Sequence, residues 1–431
     1  MKLNVENFGK IKSASIELNG LTIIAGLNNT GKSTIGKILF GIFNSVKNID
    51  NAVVEAKRRA FRKAVRNVLS HNMNRVFRLK SDPYFPIYLD KLYSIEENKI
   101  NIDELFNYLE SKQDAFKFTL NDDLRLQIKE SVDAILSISN EQFIKSVVTE
   151  KFSDIFNGQI NDIRDSVIDA EIQLTIKQRK LGLTFKNDEL RAIIKEISLV
   201  NSATYIENPT VIDGLNDTFY DSFILNDLRG KLEKPSYEDE DEEEEKINGR
   251  VEDRVLLKQL VLNKIKKISA ELDDVIPGTI LNADGDYVYN EKNEKSLNIN
   301  SLSTGLKAFA LIKLLLLNQR LRERDVLILD EPEVHLHPAW QLKYAEIIVL
   351  LQKIFDLTVV VTTHSSHFME AIDLYSKIHE TSGNCTYYLA SLNEENRSEF
   401  QNVSHQMDKI YRSLVEPNFL IDKIKEEKGI E

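Results

Sequence analysis

Nine consecutive residues, Gly26-Leu27-Asn28-Asn29-Thr30-Gly31-Lys32-Ser33-Thr34, have the types and spacing to cradle a polyphosphate. Gly26 and Gly31 permit backbone conformations and a close approach that a Cβ would hinder. Lys32 supplies a point charge for the β- and γ-phosphates, and the Ser33 hydroxyl is a ligand for Mg²⁺. Asn28, Asn29, Thr30 and Thr34 lie in the same loop, whose backbone N–H groups lead into the positive end of a helix. A second locus is Asp330-Glu331. A carboxylate there can hold Mg²⁺ through its water shell, and its neighbour can orient or deprotonate an attacking water. A third is His364, which follows the apolar run 358–363. His335 and His337 sit two apart with no further ligand nearby. That is a poor zinc set, and a role in the turn and helix entry suits them better.

These residues need elements to position them. Residues 21–25 read as a buried strand feeding the phosphate loop, and Ile35, Ile38, Leu39 and Ile42 follow at helical spacing. Residues 326–329 and 358–363 are two further buried strands, the first ending at Asp330 and the second at His364. Strands separated by helical segments imply a mainly parallel sheet, with Gly26, Asp330 and His364 converging at its carboxyl ends.

The rest of the chain divides by pattern. Residues 1–45 hold two more strands, 2–5 and 14–18, punctuated by Gly9 and Gly20. Residues 46–168 read as a large helical insertion without a sustained heptad repeat. Residues 169–215 read as a β/α return segment. Its strands are 171–176 and 182–185 about a Lys-Leu turn, then a helix over 188–198 and a strand at 203–206. Residues 216–275 are helical at 222–232 and 251–272 around an acidic loop near 234–248, and 276–431 carry the remainder. That last part opens with a hairpin joined through Asp284-Gly285.

Composition narrows the class. The eight acids at 238–245 carry most of the formal net charge of −12 and read as a solvated loop or, alternatively, a partner-binding segment. Against that acidic background, Lys57, Arg58, Arg59, Arg62, Lys63, Arg66, Arg75, Arg78 and Lys80 oppose a single acid, Glu55, within 51–80. Val53, Ala60, Phe61, Ala64 and Val68 would line the buried face there. The stretch 57–80 is either a DNA-binding surface or a solvated helix face paired with neighbouring acids. A lone cysteine, Cys385, excludes an intrachain disulfide, and no apolar run is long enough for a transmembrane helix, so a cytoplasmic protein is expected.

One further motif makes the pattern specific. Ser301-Leu302-Ser303-Thr304-Gly305 precedes a helical run and resembles the signature of ABC-type ATPases. The order of phosphate loop, signature, Asp-Glu strand and histidine strand matches that class. Asp330-Glu331-Pro332-Glu333-Val334-His335-Leu336-His337-Pro338 resembles the D-E-P-E-x-x-L-H-P element of OLD- and RecF-like ATPases, relatives of the SMC proteins, as does Asn7-Phe8-Gly9-Lys10-Ile11. The resemblance implies an α/β ABC-type P-loop ATPase head that uses ATP and Mg²⁺, with Ser33 and Asp330 at the metal. It casts Glu331 as the catalytic carboxylate and His364 as the γ-phosphate contact. It also has Ser303 and Gly305 close over ATP held by a second protomer. The signature reads Leu-Ser-Thr-Gly rather than Leu-Ser-Gly-Gly, and no glutamine is assigned to the family's Q-loop. No Asp-x-Asp follows His364, so a nuclease activity would come from another chain. Stand-alone ATPases of this build resemble the ATPase subunits of two-gene anti-phage systems of the Septu or PARIS kind. The resemblance thus implies a self-assembling subunit that holds an effector such as a nuclease, or alternatively a RecF- or SMC-like repair ATPase that binds DNA.

Overall fold

The 431-residue chain is seen here as a computed structural model. It describes residues 1–72, 84–94, 99–113, 119–162, 164, 167–214, 222–233, 259, 263–268, 270–283, 286–291, 296–415 and 427–428. The acidic run 238–245, Arg75, Arg78, Lys80 and the Asp284-Gly285 turn lie outside the described residues. Of the helix expected over 251–272, only residues 259, 263–268 and 270–272 are described, and they are helical.

The N-terminal strands β1 (Lys2–Phe8) and β2 (Ile11–Glu17) pair antiparallel in the register Val5↔Ala14. Their alternation buries Leu3, Val5, Ala14 and Ile16 on one side, and the Phe8↔Ile11 pair is buried at the hairpin end. Strand β3 (Leu21–Gly26) is buried at every position, the signature of a strand covered on both faces. Helix α1 (Lys32–Val46) follows at once, burying Ile35, Ile38, Leu39 and Ile42.

Residues Asn48–Val148 form a compact unit of their own. It holds α2 (Ile49–Asn72), α3 (Tyr84–Lys91), the short strands β4 (Tyr93–Ser94) and β5 (Lys99–Ile100), α4 (Ile102–Ser111) and α5 (Asp122–Ser137). It also contains the start of α6 (Asn140–Phe156). Asn101 and Asn121 cap α4 and α5, accepting from the N–H groups of Glu104 and Leu124. Phe61, Leu69, Phe85, Leu109 and Ile128 are among its core. The buried stripe of α2 differs from the one expected. It runs Val53, Lys57, Phe61, Val65, Leu69, while Ala60 is exposed and Ala64 and Val68 are half-buried. A strict four-residue step therefore selects a lysine for the inner face.

The boundary also differs, falling at Val148 rather than near residue 168. The end of α6 belongs to the sheet-containing unit because Phe152 and Phe156 pack their rings on Phe185 and Phe8. That unit continues with β6 (Ala170–Ile176), β7 (Arg179–Lys186), β8 (Glu189–Lys195) and β9 (Ala203–Ile206). Residues 189–195 form this strand in place of the helix expected over 188–198. Leu183 and Thr184 of β7 face Ile193 and Ala192, so tertiary pairing decides a segment whose local pattern is ambiguous. The β6–β7 turn sits at Lys177-Gln178, both at positive φ, rather than at Lys180-Leu181.

Next come α7 (Phe223–Glu233), a three-stranded sheet of β10 (Thr279–Ala283), β11 (Asp286–Asn290) and β12 (Leu297–Asn298), and α8 (Thr304–Leu317). The chain then alternates β13 (Val326–Asp330), α9 (Pro338–Phe355), β14 (Thr358–Thr363) and α10 (Ser366–Ile378) before the hairpin β15 (Cys385–Leu392) and β16 (Ser398–Asn402). The main sheet runs β8-β7-β6-β1-β2-β16-β15-β3-β14-β13-β9. Every pairing from β15 through β3, β14 and β13 to β9 is parallel, whereas β8, β7, β6, β1 and β2 form an antiparallel meander. The parallel part brings β3, β14 and β13 side by side, with their carboxyl ends together.

Candidate nucleotide site

The site forms at those strand ends. Gly31 caps α1 at φ 82, a left-handed conformation, and a Cβ there would lie 3.0 Å from the Ser398 hydroxyl. Asn29 is also left-handed at φ 64, and the Thr30 hydroxyl donates to the Leu27 carbonyl at 2.7 Å. Lys32 is only 4% exposed, and its Nζ donates to the carbonyls of Gly26 and Leu27 at 3.0 Å each. Around the loop opens a groove of about 500 Å³. It is lined by Asn28, Asn29, Thr30, Gly31, Lys32, Ser33 and Thr34 on one side and by Asp330, Glu331, Val334 and His335 on the other.

Asp330 is the meeting point. Its Oδ1 accepts from the Ser33 hydroxyl at 3.0 Å and from the Thr362 hydroxyl, and its Oδ2 accepts from the Tyr205 hydroxyl at 2.6 Å. Burial, and then the adjacent Asp330 carboxylate, push the Tyr205 phenol well above its ordinary value, so it stays a neutral donor. A hydroxyl and a carboxylate within hydrogen-bonding distance beside a loop of backbone N–H groups are hard oxygen donors of the kind Mg²⁺ takes. The loop amides and the buried Lys32 ammonium suit the phosphates. The donor set thus fits MgATP.

Glu331 stands beside this pair at φ 49, a left-handed backbone uncommon for its type. The turn is held by its N–H, which donates to the Thr362 carbonyl at 3.1 Å and hydroxyl at 3.2 Å. Its carboxylate lies 3.4 Å from Lys32 Nζ and 3.4 Å from His364 Nδ1. The fold therefore brings Gly26, Lys32, Ser33, Asp330, Glu331 and His364 together.

Ser303 and Gly305 are placed differently. Ser303 caps α8, its hydroxyl accepting from the Leu306 N–H at 3.4 Å, and neither residue is among those lining the groove. A Cβ at Gly305 would come within 2.9 Å of the Trp340 ring and 3.1 Å of the His335 carbonyl, so close packing accounts for that glycine. His337 caps α9, its Nδ1 accepting from the Ala339 N–H at 3.3 Å. Among the described residues no group of three or more His, Cys, Asp or Glu side chains is placed to hold a metal.

Several residues at the site carry no sequence signal strong enough to single them out. Tyr205 lies next to the end of a short apolar strand like many others, and Thr362 is one β-branched residue in a run of them. Lys10, whose Nζ donates to the Asn29 carbonyl at 3.2 Å, and Glu207, which follows β9, also line the groove. Lys10 belongs to the Asn-Phe-Gly-Lys-Ile stretch, which gave the one available hint.

With the phosphate-loop, histidine and Asp-Glu strands adjacent and parallel, the main sheet has the α/β arrangement of a P-loop nucleotide-binding fold. Residues 217–370 match a family described as "AAA domain, putative AbiEii toxin, Type IV TA system", a stretch that includes Ser303, Asp330, Glu331 and His364. No curated protein matches the chain. Among solved structures, the SMC head domain from Thermotoga maritima is similar at 10% identity and a TM-score of 0.39, over 93% of this chain and 98% of that one. An SMC head bound to the C-winged helix domain of ScpA is similar at 12% identity and a TM-score of 0.42, over 93% and 97%. A third, the SMC head domain with a coiled coil and joint derived from Pyrococcus yayanosii, stands at 12% and 0.39, over 97% and 99%.

Proposed function

We propose that this chain binds and hydrolyses ATP with Mg²⁺, assembles with a second copy on ATP, and holds or regulates an effector protein, a nuclease, in an anti-phage defence complex. The observation that carries the ATPase reading is the contact between segments far apart in sequence. Ser33 meets Asp330 at 3.0 Å while Lys32 meets Glu331 at 3.4 Å. In this reading Lys32 neutralises the β- and γ-phosphates, and Ser33 and Asp330 hold the metal, which screens phosphate charge when bound. Glu331 orients and deprotonates the attacking water. His364 meets the γ-phosphate, and Ser303 with Gly305 completes the site of the second copy.

The effector reading is supported by the size of the Asn48–Val148 unit, a helical surface for docking. The DNA-repair alternative draws on the basic stretch, which is less free than its composition suggests. Lys57 is buried, donating to the Ile138 carbonyl and the Asn140 side chain at 2.8 Å each, while Arg58 pairs with Glu55 and Arg62 with Asp90. Exposed Arg59 and Lys63 remain on that helix.

Turnover and capture test the two levels separately. Lys32→Ala should lower ATP turnover by at least about a hundredfold and weaken nucleotide binding. Glu331→Gln should lower turnover by about 10² to 10⁴ while MgATP still binds. Parental turnover in both variants would remove the ATPase assignment. Co-expression of Glu331→Gln with the product of the adjacent gene should retain that protein on purification in ATP. A nuclease retained there supports the effector reading, and an isolated gene with ATP-dependent DNA binding supports repair.

A further inference from the structure

The loop after β13 holds a second carboxylate to which the roles above assign nothing. Glu333 is 2% exposed. Its Oε1 accepts from the Thr363 hydroxyl and from the His364 backbone N–H at 3.3 Å, while its Oε2 is buried with no hydrogen-bond partner among the described residues. Leaving one carboxyl oxygen unpaired in the interior is costly, and such a group calls for a reason. Burial raises the Glu333 carboxyl above its ordinary value, against the opposing pull of the Thr363 hydrogen bond.

What this side chain holds can be followed bond by bond. The Thr363 hydroxyl that donates to Glu333 accepts from the Ser365 N–H at 3.0 Å. The Ser365 hydroxyl in turn caps α10, accepting from the Phe368 N–H at 3.1 Å. On the other side, the Gln341 side-chain amide donates to the Glu333 and Leu336 carbonyls at 3.2 Å each. Glu333 thereby ties the 363–365 turn, with His364 at its centre, to the loop that carries Asp330 and Glu331. The ring of His364 lies with Nδ1 at 3.4 Å from Glu331 and 3.8 Å from Glu333.

We infer that Glu333 is a positioning residue for His364, fixing the turn through Thr363 and the His364 N–H and facing the ring from its Nδ1 side. With two carboxyl groups at that edge, Nδ1 carries the proton of the neutral ring, and Nε2 is the atom left for the phosphate. The inference rests on the ATPase reading for its consequence in turnover, though not for the ring itself.

Two measurements on the full chain separate the two. The first needs no nucleotide: long-range proton–nitrogen spectra of the histidine rings, with His364 identified by the signals that His364→Ala removes. The neutral ring should be the Nδ1–H form, and Glu333→Leu should convert it to a mixture with the Nε2–H form. Thr363→Val breaks the same tie without changing the shape of the site and should move the same signals. A ring unchanged in both variants overturns the inference.

The second measurement is turnover. Glu333→Leu should lower kcat by about a hundredfold, as a small misplacement of a reacting group does, with the ATP dissociation constant unchanged within about threefold. Glu333→Gln keeps an acceptor oxygen and should recover most of that loss. In the His364→Ala background, Glu333→Leu should cost nothing more. A full further loss there, or a fall in affinity equal to the fall in kcat, overturns the inference. Where the parent chain itself does not hydrolyse ATP, the ATPase reading fails and the ring spectra alone decide.

Discussion

At the scale of single residues, the site is defined by what Asp330 receives. Three hydroxyls, from Ser33, Thr362 and Tyr205, donate to one carboxylate, and only Ser33 belongs to a recognisable motif. Tyr205 is 1% exposed and its bond to Asp330 is short, so it fixes the rotamer of a side chain assigned here to the metal. Tyr205→Phe keeps the ring and deletes the donor. It should cost about 1–3 kcal/mol of unfolding free energy, read by denaturant titration, because a buried acceptor loses its partner. If Asp330 holds Mg²⁺ as proposed, the Mg²⁺ concentration for half-maximal turnover should rise by roughly tenfold, the size of a lost outer-shell contact. An unchanged Mg²⁺ titration would mean that Tyr205 packs but does not orient.

At the scale of elements, a strand-to-helix junction and a buried lysine show how local structure is spent. The β3–α1 junction uses left-handed Asn29 and Gly31 to turn the chain so that α1 begins at Lys32 itself. Gly36 then lets α1 press on the sheet, since a Cβ there would come within 2.9 Å of Ile328 on β13. In the helical unit, Lys57 occupies the inner stripe of α2 and ties it to the α5–α6 connection through Ile138 and Asn140. Burial lowers the Lys57 ammonium below its ordinary value, so the charged form is held against a desolvation cost and is retained by those two acceptors. Lys57→Ala should leave both acceptors without this donor and destabilise the chain by about 1–3 kcal/mol in urea unfolding. DNA affinity, if there is any, should not change with it. A loss of DNA binding without a loss of stability would instead place Lys57 in a nucleic-acid surface.

At the scale of the whole molecule, the question is whether one chain holds a whole site. Ser303 and Gly305 have local structural duties, a helix cap and a close contact with Trp340, and neither lines the groove. The proposed action of both in a second copy therefore needs a test that packing alone cannot pass. Ser303→Arg should abolish turnover while leaving that protomer's own phosphate loop intact, and Lys32→Ala abolishes it from the other side. In a mixed dimer, one composite site joins the intact loop of the first variant to the intact signature of the second. Mixing the two, with exchange verified by differential tags, should restore up to about a quarter of parental turnover, given random pairing and independent sites. ATP-dependent dimerisation of Glu331→Gln should also disappear on adding Ser303→Arg. Dimerisation that persists unchanged would remove the in-trans assignment.

The sequence by itself determined the phosphate loop, its flanking strand and helix, and the strands that end at Asp330 and before His364. Those signals are local: glycine spacing, contiguous apolar runs and helical periodicity act within a dozen residues. Tertiary structure alone decided the rest. Residues 189–195 are a strand because β7 pairs with them, and the helical unit stops at Val148 because Phe152 and Phe156 find rings on the sheet. Tyr205 reaches Asp330 across 125 residues of chain, and Glu333 reaches Thr363 across 30. No window on the sequence spans such distances. A buried polar group takes whichever partner the packed fold brings within about 3 Å, and that choice is made only once the sheet has closed.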